Sequence, residues 1–261
     1  MFELLKKVKE INPLVLHYTN EVTINDCANI TLAIGASPLM SYSYEEAEEI
    51  IPIASSVVIN IGTINSSHRE LFVKAGKIAN KHKKPVILDP VGVFATLSRS
   101  LLVKTLLNEV KFDVIKGNAA EIKYIGGFNV KGKGVDSFDD DENIDDIIKK
   151  VAKKLECVVV ATGKVDVVTD GDKIIKIHNG TPKLKGITGT GCMSASLIGS
   201  YLGASNEILN SAAMGVLTMS LCGELADIDN IGIGSFKVNL MDNIYKLNED
   251  KLKESSRVEV F

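Results

Sequence analysis

Three short runs in this chain are apolar at every position until a polar residue ends them: "VVIN" (Val57–Asn60), "VILD" (Val86–Asp89) and "CVVVA" (Cys157–Ala161). A strand with one wet face alternates apolar and polar residues. A run with no polar position must be covered on both faces, which is the signature of a parallel sheet between helical layers. Strands are expected at Leu14–Tyr18, Ser56–Ile61, Pro85–Leu88, Phe112–Ile115, Val158–Ala161, Val165–Thr169 and Lys173–His178, with helical stretches such as Arg69–His82 and Leu97–Val110 between the early ones. This alternation predicts an α/β fold, a mostly parallel central sheet with helices on both faces. One segment breaks the pattern: "VDVVTDGDKIIKIHNG" reads as strand, Asp170-Gly171 turn, strand, a hairpin. From Cys192 to about Leu247 the chain reads as helical, and the final "RVEVF" suits an edge strand.

At 261 residues the chain is long enough for one large core, so residues 1–261 are expected to form a single domain. A net charge of −3 with no basic block gives no electrostatic footprint for nucleic acid, and 5% aromatics without tryptophan gives few stacking platforms. The opening "MFELLKKVKEINP" reads as an amphipathic helix stopped by Pro13 and lacks the apolar core of a signal peptide. No window carries the apolar length that a bilayer crossing needs, so no membrane partner is expected. Cys27, Cys157, Cys192 and Cys222 form no CxxC pair and no zinc spacing, and three of them read as buried small hydrophobes. A reduced, cytoplasmic protein is the expectation. The acidic "DSFDDDENIDD" (Asp136–Asp146) lacks the glycine and glutamate of a calcium loop, so it reads as carboxylates gathered at a helix N-terminus.

Ligands of parallel α/β sheets bind beyond the carboxyl ends of the strands. The turns expected there are "NIGT" (Asn60–Thr63), "DPVG" (Asp89–Gly92), "KGNAAE" (Lys116–Glu121), "TGKVD" (Thr162–Asp166) and "GITGTGC" (Gly186–Cys192). Singly, each is an ordinary turn or helix cap; together they aim carboxylates, amides, hydroxyls and a lysine at one edge. "GTGC" is the strongest element. Gly189 and Gly191 allow close backbone approach, and the N–H groups of Thr190, Gly191 and Cys192 would form an anion hole at a helix N-terminus, suited to a transferring phosphoryl group. No GxxxxGK[ST] P-loop is present. Upstream, Asn20, Asn25 and Asn29 run through "YTNEVTINDCANITLAIGASPLMSYS". Their amides suit a small polar heterocycle, and Asn20 equally suits a cap on a helix beginning near Val22. Met40 fits a flexible pocket wall or plain core filler.

"TNEVTINDCANITLAIGASPLM", "NIGT", "LDPVG", "KGNAAEI", "KGVDS", "TGKVDVVTDG", "HNGTPKLKGITGTGC" and "GIGSF" stand in the order and spacing of the hydroxyethylthiazole kinases, which the chain resembles from about Pro13 onward. The resemblance implies a ribokinase-like fold and transfer of the ATP γ-phosphoryl group to the alcohol of 4-methyl-5-(2-hydroxyethyl)thiazole, a thiamine salvage step. It also implies a homotrimer whose thiazole pocket is shared between subunits. Carried over by motif, the thiazole meets Asn20, Val22, Met40, Gly189 and Cys192. ATP meets Lys116, Asn118 and Thr162, and Mg2+ is held near Asp89 and Glu121.

Three positions depart from the family pattern. Lys116 stands where arginine is usual, keeping the charge but losing the bidentate fork. Ile233 replaces a usual proline, and His17 is displaced by one position, which in a strand turns it to the other face and leaves it without a role here. Cys192 stands where many ribokinase-like kinases carry an aspartate read as the base for the substrate hydroxyl. At a helix N-terminus its thiol is expected below the usual value of about 8.5, opposed by the triphosphate. Two rival readings are an ATP- or ADP-dependent NAD(P)H-hydrate dehydratase on the same fold and a non-catalytic thiazole- or nucleotide-binding regulator.

Overall fold

The computed structural model describes residues 1–128 and 144–261. "KGVDS" and most of the acidic stretch lie outside the described residues. The strands are β1 Leu14–Tyr18, β2 Ser37–Met40, β3 Ser56–Asn60, β4 Val86–Asp89, β5 Val114–Asn118, β6 Val158–Thr162, β7 Asp166–Thr169, β8 Ile174–Ile177 and β9 Val258–Val260. The helices are α1 Leu4–Ile11, α2 Ile24–Ile34, α3 Ala47–Ile50, α4 Ser66–Lys81, α5 Leu97–Glu109, α6 Ala119–Gly126, α7 Ile144–Leu155, α8 Thr190–Ala204, α9 Ile208–Ala226, α10 Ile233–Lys246 and α11 Glu249–Ser255. They build one nine-stranded sheet in the order β2-β1-β3-β4-β5-β6-β7-β8-β9. Pairing is parallel from β2 to β6 and antiparallel from there to β9.

The unbroken apolar runs are explained by the two cores. Val15, Val58, Ile87, Val114 and Val160 pack with α1, α2, α8, α9 and α10; Leu16, Val57, Leu88, Ile115 and Val159 pack with α4, α5 and α7 on the other face. Strand side chains alternate between faces. The polar residues near the carboxyl ends of the strands on the first parity therefore share the sheet face covered by α8 and α9: His17 on β1, Asn60 on β3, Asp89 on β4, Lys116 and Asn118 on β5, and Thr162 on β6. This sharpens the sequence reading, which put Lys116–Asn118 in a loop. They are strand residues, held by the ladder rather than by a turn.

The expected hairpin is β7–β8, and the "RVEVF" strand pairs β8. β2 was not anticipated. It is a four-residue, half-buried edge strand containing Pro38, which leaves no apolar run to detect. The expectation that no segment is long and apolar enough to cross a membrane is corrected by α9, whose length and composition pass that test. Its residues Ser211–Gly223 are buried, against α8, α10 and the sheet, so its apolar character belongs to the core. Ile233 is the first residue of α10, a position that proline also suits, and it lies against Gly186.

Candidate active site

The site is built around the N-terminus of α8. Gly189 caps it with φ +91°, and a Cβ there would come 2.4 Å from Thr23 Cγ2, so both conformation and space demand glycine. Thr190, Gly191 and Cys192 are the first three helical residues, whose N–H groups have no intrahelical acceptor. The Thr190 hydroxyl donates to Leu184 O at 3.1 Å, tying the helix start to the preceding 3-10 turn Pro182–Gly186.

Lys116 reaches this helix end from β5. It is buried, donates from Nζ to Gly191 O at 3.0 Å, and lies 3.9 Å from Asp89 Oδ1. A Cβ at Gly191 would sit 3.0 Å from that ammonium. Burial works to lower the Lys116 pKa, but Asp89, Glu121 and Cys192 outweigh it and hold the amine above its usual value. The cation thus lies directly beside the free N–H groups of α8. Its hydrogen bond goes to the helix backbone, so it adds charge to the anion hole.

Asp89 is 1% exposed and its carboxyl is pushed up to about 6, by burial first, with Glu121 adding and Lys116 and Asn60 opposing. Its Oδ2 accepts from Asn60 Nδ2 at 2.7 Å, while the buried Oδ1 has no hydrogen-bond partner. Glu121 differs: Oε1 accepts from Gly92 N at 2.7 Å and Oε2 from Asn118 N at 2.8 Å. Asn118 Oδ1 in turn accepts from Glu121 N, a reciprocal capping box at the start of α6. Glu121 and Asn118 thus take the helix-cap role that the sequence reading weighed for single residues of these turns. Among the described residues no group of three His, Cys, Asp or Glu side chains is arranged to hold a metal. The Asp89 carboxylate, whose Oδ1 accepts no hydrogen bond, still fits magnesium, which takes one or two carboxylates and otherwise water and phosphate oxygens.

Asn20 connects this end of the site to the N-terminal segment. It is buried, accepts from Thr23 N at 3.1 Å, and donates from Nδ2 to Asn60 Oδ1 at 2.9 Å and to Cys192 Sγ at 3.4 Å. Its expected role as cap of a helix at Val22 is corrected: it closes the turn ahead of α2, which starts at Ile24. Cys192 is corrected too. Its thiol is raised, not lowered, because burial and the neighbouring Asp89 outweigh the opposing Lys116 charge.

The remaining residues lie at the margins. Val22 is 63% exposed on the turn before α2. Met40 ends β2 opposite His17 and packs against the α8-side core. Thr162 ends β6 opposite Asn118 and donates to Gly117 O at 3.3 Å. His17, given no role from sequence, faces α8: Nδ1 bonds Val15 O and Nε2 bonds Ser196 Oγ, both at 3.0 Å, one turn beyond Cys192. Burial drops its pKa to about 4, so it is a neutral strut. Arg99 also went unnoticed. From α5 it donates to Val91 O and Gly62 O, clamping the loops after β4 and β3 together.

A mostly parallel α/β sheet with helices on both faces is the ribokinase-like arrangement. A ribokinase-like superfamily protein from Enterococcus faecalis shares it at 14% identity, with a TM-score of 0.64 over 94% of each chain. More specifically, residues 5–250 match the hydroxyethylthiazole kinase family profile, and the chain belongs to that family. It is 64% identical to a hydroxyethylthiazole kinase of Clostridioides difficile over 99% of both chains. It is also 38% identical to the solved hydroxyethylthiazole kinase protein of Pyrococcus horikoshii OT3, with a TM-score of 0.90, covering 100% of this chain and 98% of that one.

Proposed function

We propose that residues 1–261 form one catalytic domain that transfers the γ-phosphoryl group of ATP to the hydroxyl of 4-methyl-5-(2-hydroxyethyl)thiazole. The observation that carries this reading is the convergence of Asn20, Asp89, Lys116 and Cys192 on the N-terminus of α8. Phosphoryl transfer asks a protein mainly for positioning and charge neutralisation. The N–H groups of Thr190, Gly191 and Cys192 would receive phosphoryl oxygens, with the Lys116 charge behind them. The thiazole would lie against Asn20, Val22, Met40, Gly189 and Cys192, bringing its hydroxyl to the thiol, while ATP would run toward Asn118 and Thr162.

Mg2+ would be held at Asp89 through Oδ1, which accepts no hydrogen bond and faces Lys116 at 3.9 Å, with Glu121, whose oxygens already accept backbone N–H groups, acting on it from further out. When bound, the ion neutralises phosphate charge. The Cys192 thiol, raised by burial, is protonated at neutral pH, so only its minor thiolate form would take the alcohol proton, late, as the loose transition state forms, becoming the thiol as the alcohol oxygen bonds to phosphorus. A homotrimer and a cytoplasmic location belong to the same proposal. The exposure of Val22 in the single chain and the open edge of β2 support a neighbouring subunit completing the pocket.

A coupled ADP-release assay with and without the thiazole alcohol tests the reading. Alcohol-dependent ADP release is expected. Release that instead requires a hydrated nicotinamide cofactor would favour the dehydratase, and binding without any release would favour a regulator.

A further inference from the structure

Asn60 ends β3, is 1% exposed, and has Asp89 as its partner in the parallel register. Its amide has no freedom of orientation. Gly62 N–H donates to its Oδ1 at 2.8 Å, so that end must be the oxygen, and its Nδ2 then faces the acceptor Asp89 Oδ2 at 2.7 Å. A flip would set oxygen against carboxylate and N–H against N–H. The same logic passes to Asn20. Its Oδ1 accepts from Thr23 N–H at 3.1 Å, so its Nδ2 carries both remaining bonds, to Asn60 Oδ1 at 2.9 Å and Cys192 Sγ at 3.4 Å. The backbone is pressed onto this pair, since a Cβ at Gly62 would lie 2.7 Å from Asn20 Nδ2.

We infer that Asn60 is a positioning residue for the phosphoryl-transfer site: it holds the Asn20 amide so that an N–H faces the Cys192 sulfur, while its other end engages Asp89 Oδ2 and leaves Oδ1 turned toward Lys116 with no hydrogen bond of its own. Asn60 touches both the carboxylate proposed to serve the phosphates and the amide proposed to serve the alcohol. The two halves of the site therefore share one buried side chain. The inference rests on the alcohol site proposed above. Asn60 itself need not touch either substrate.

The test reads binding of 4-methyl-5-(2-hydroxyethyl)thiazole by calorimetry in the absence of nucleotide, with the melting temperature of each variant beside it. Asn60→Ala should weaken alcohol affinity roughly tenfold or more, the size expected when a buried donor loses its acceptor. The double variant Asn60→Asp with Asp89→Asn reverses the donor and acceptor between the two strands. The new carboxylate at position 60 still accepts from Gly62 and Asn20, and the new amide at position 89 donates to it. Alcohol affinity should return to within about threefold of wild type, a rescue that a merely space-filling role would not produce. Wild-type affinity in Asn60→Ala, or a double variant binding no better than one-tenth as tightly as wild type, overturns the inference. Where alanine leaves too little folded protein, the double variant decides alone. Asn20→Ala separates the two claims: unchanged affinity there overturns the alcohol site and this inference together, whereas weakened affinity there beside wild-type affinity in Asn60→Ala overturns only the inference.

Discussion

Asn20 Nδ2 lies 3.4 Å from Cys192 Sγ, a contact between residues 172 positions apart that joins the turn after β1 to the N-terminus of α8. Through it the segment expected to hold the alcohol meets the helix end expected to hold phosphate. The sulfur receives an N–H while its own proton is retained by burial. The site is thus organised around a neutral thiol beside a buried cation and a buried carboxylate.

Asp89→Asn should lower kcat strongly while leaving alcohol affinity and the fold in place. The amide keeps an oxygen for Asn60 Nδ2 but loses the charge that faces Lys116 and suits magnesium. Steady-state turnover and calorimetry check this; wild-type turnover would remove Asp89 from the chemistry.

Lys116→Ala should raise the KM for ATP by about tenfold, since the proposed anion hole loses the cation bonded to Gly191 O. Lys116→Arg keeps the charge and should lower that KM or leave it unchanged. ATP titrations at saturating alcohol measure both, and an alanine variant with unaltered ATP dependence contradicts the assignment.

Asp166 gives a pH-dependent stability effect. Its carboxylate accepts from Gly163 N and Ser220 Oγ, yet burial pushes its pKa up to about 6. A folded-state value above the unfolded one, about 3.9, means the folded state binds the proton more tightly. Stability from this group is therefore full at low pH and is lost as pH rises from about 4 to about 6. Asp166→Asn can keep both contacts, because the Ser220 hydroxyl also accepts. It should be more stable than wild type by on the order of 1–3 kcal/mol at pH 7.5, and the gain should vanish near pH 4. Denaturant midpoints at the two pH values check it.

Much of this was legible in the sequence because burial on both sheet faces leaves a plain mark. "VVIN", "VILD" and "CVVVA" suit covered strands, and their polar ends, Asn60, Asp89 and Thr162, mark the sheet edge at which the sequence expects a ligand. "GTGC" was legible for the same kind of reason, since only glycine meets the backbone angle at Gly189. What stayed hidden depends on contacts between distant residues. Asn60 finds its partners 40 and 29 positions away, His17 finds Ser196 179 positions away, and no local pattern reports either. The thiol of Cys192 was misjudged because a helix N-terminus can be read from sequence, whereas burial beside Asp89 cannot.

Cys192 bears most directly on how this site activates an alcohol. Its thiol is held above the usual range, so little thiolate is present at neutral pH, whereas a carboxyl of nearly the same length starts from a far lower pKa and ionises more readily. The third helical position of α8, the Asn20 N–H and the nearby Lys116 charge favour that anion, while burial and Asp89 oppose it as they oppose the thiolate. The deciding measurement is kcat for wild type, Cys192→Asp and Cys192→Ala between about pH 6 and 9. The account predicts that wild-type kcat climbs with pH, that the aspartate variant equals or exceeds it and levels off at lower pH, and that the alanine variant falls by about 10²–10⁴-fold, the range typical of general-base loss. An aspartate variant slower than the alanine variant throughout would contradict a proton-accepting role for Cys192 and leave the backbone N–H groups of α8 as the catalytic contribution of this loop.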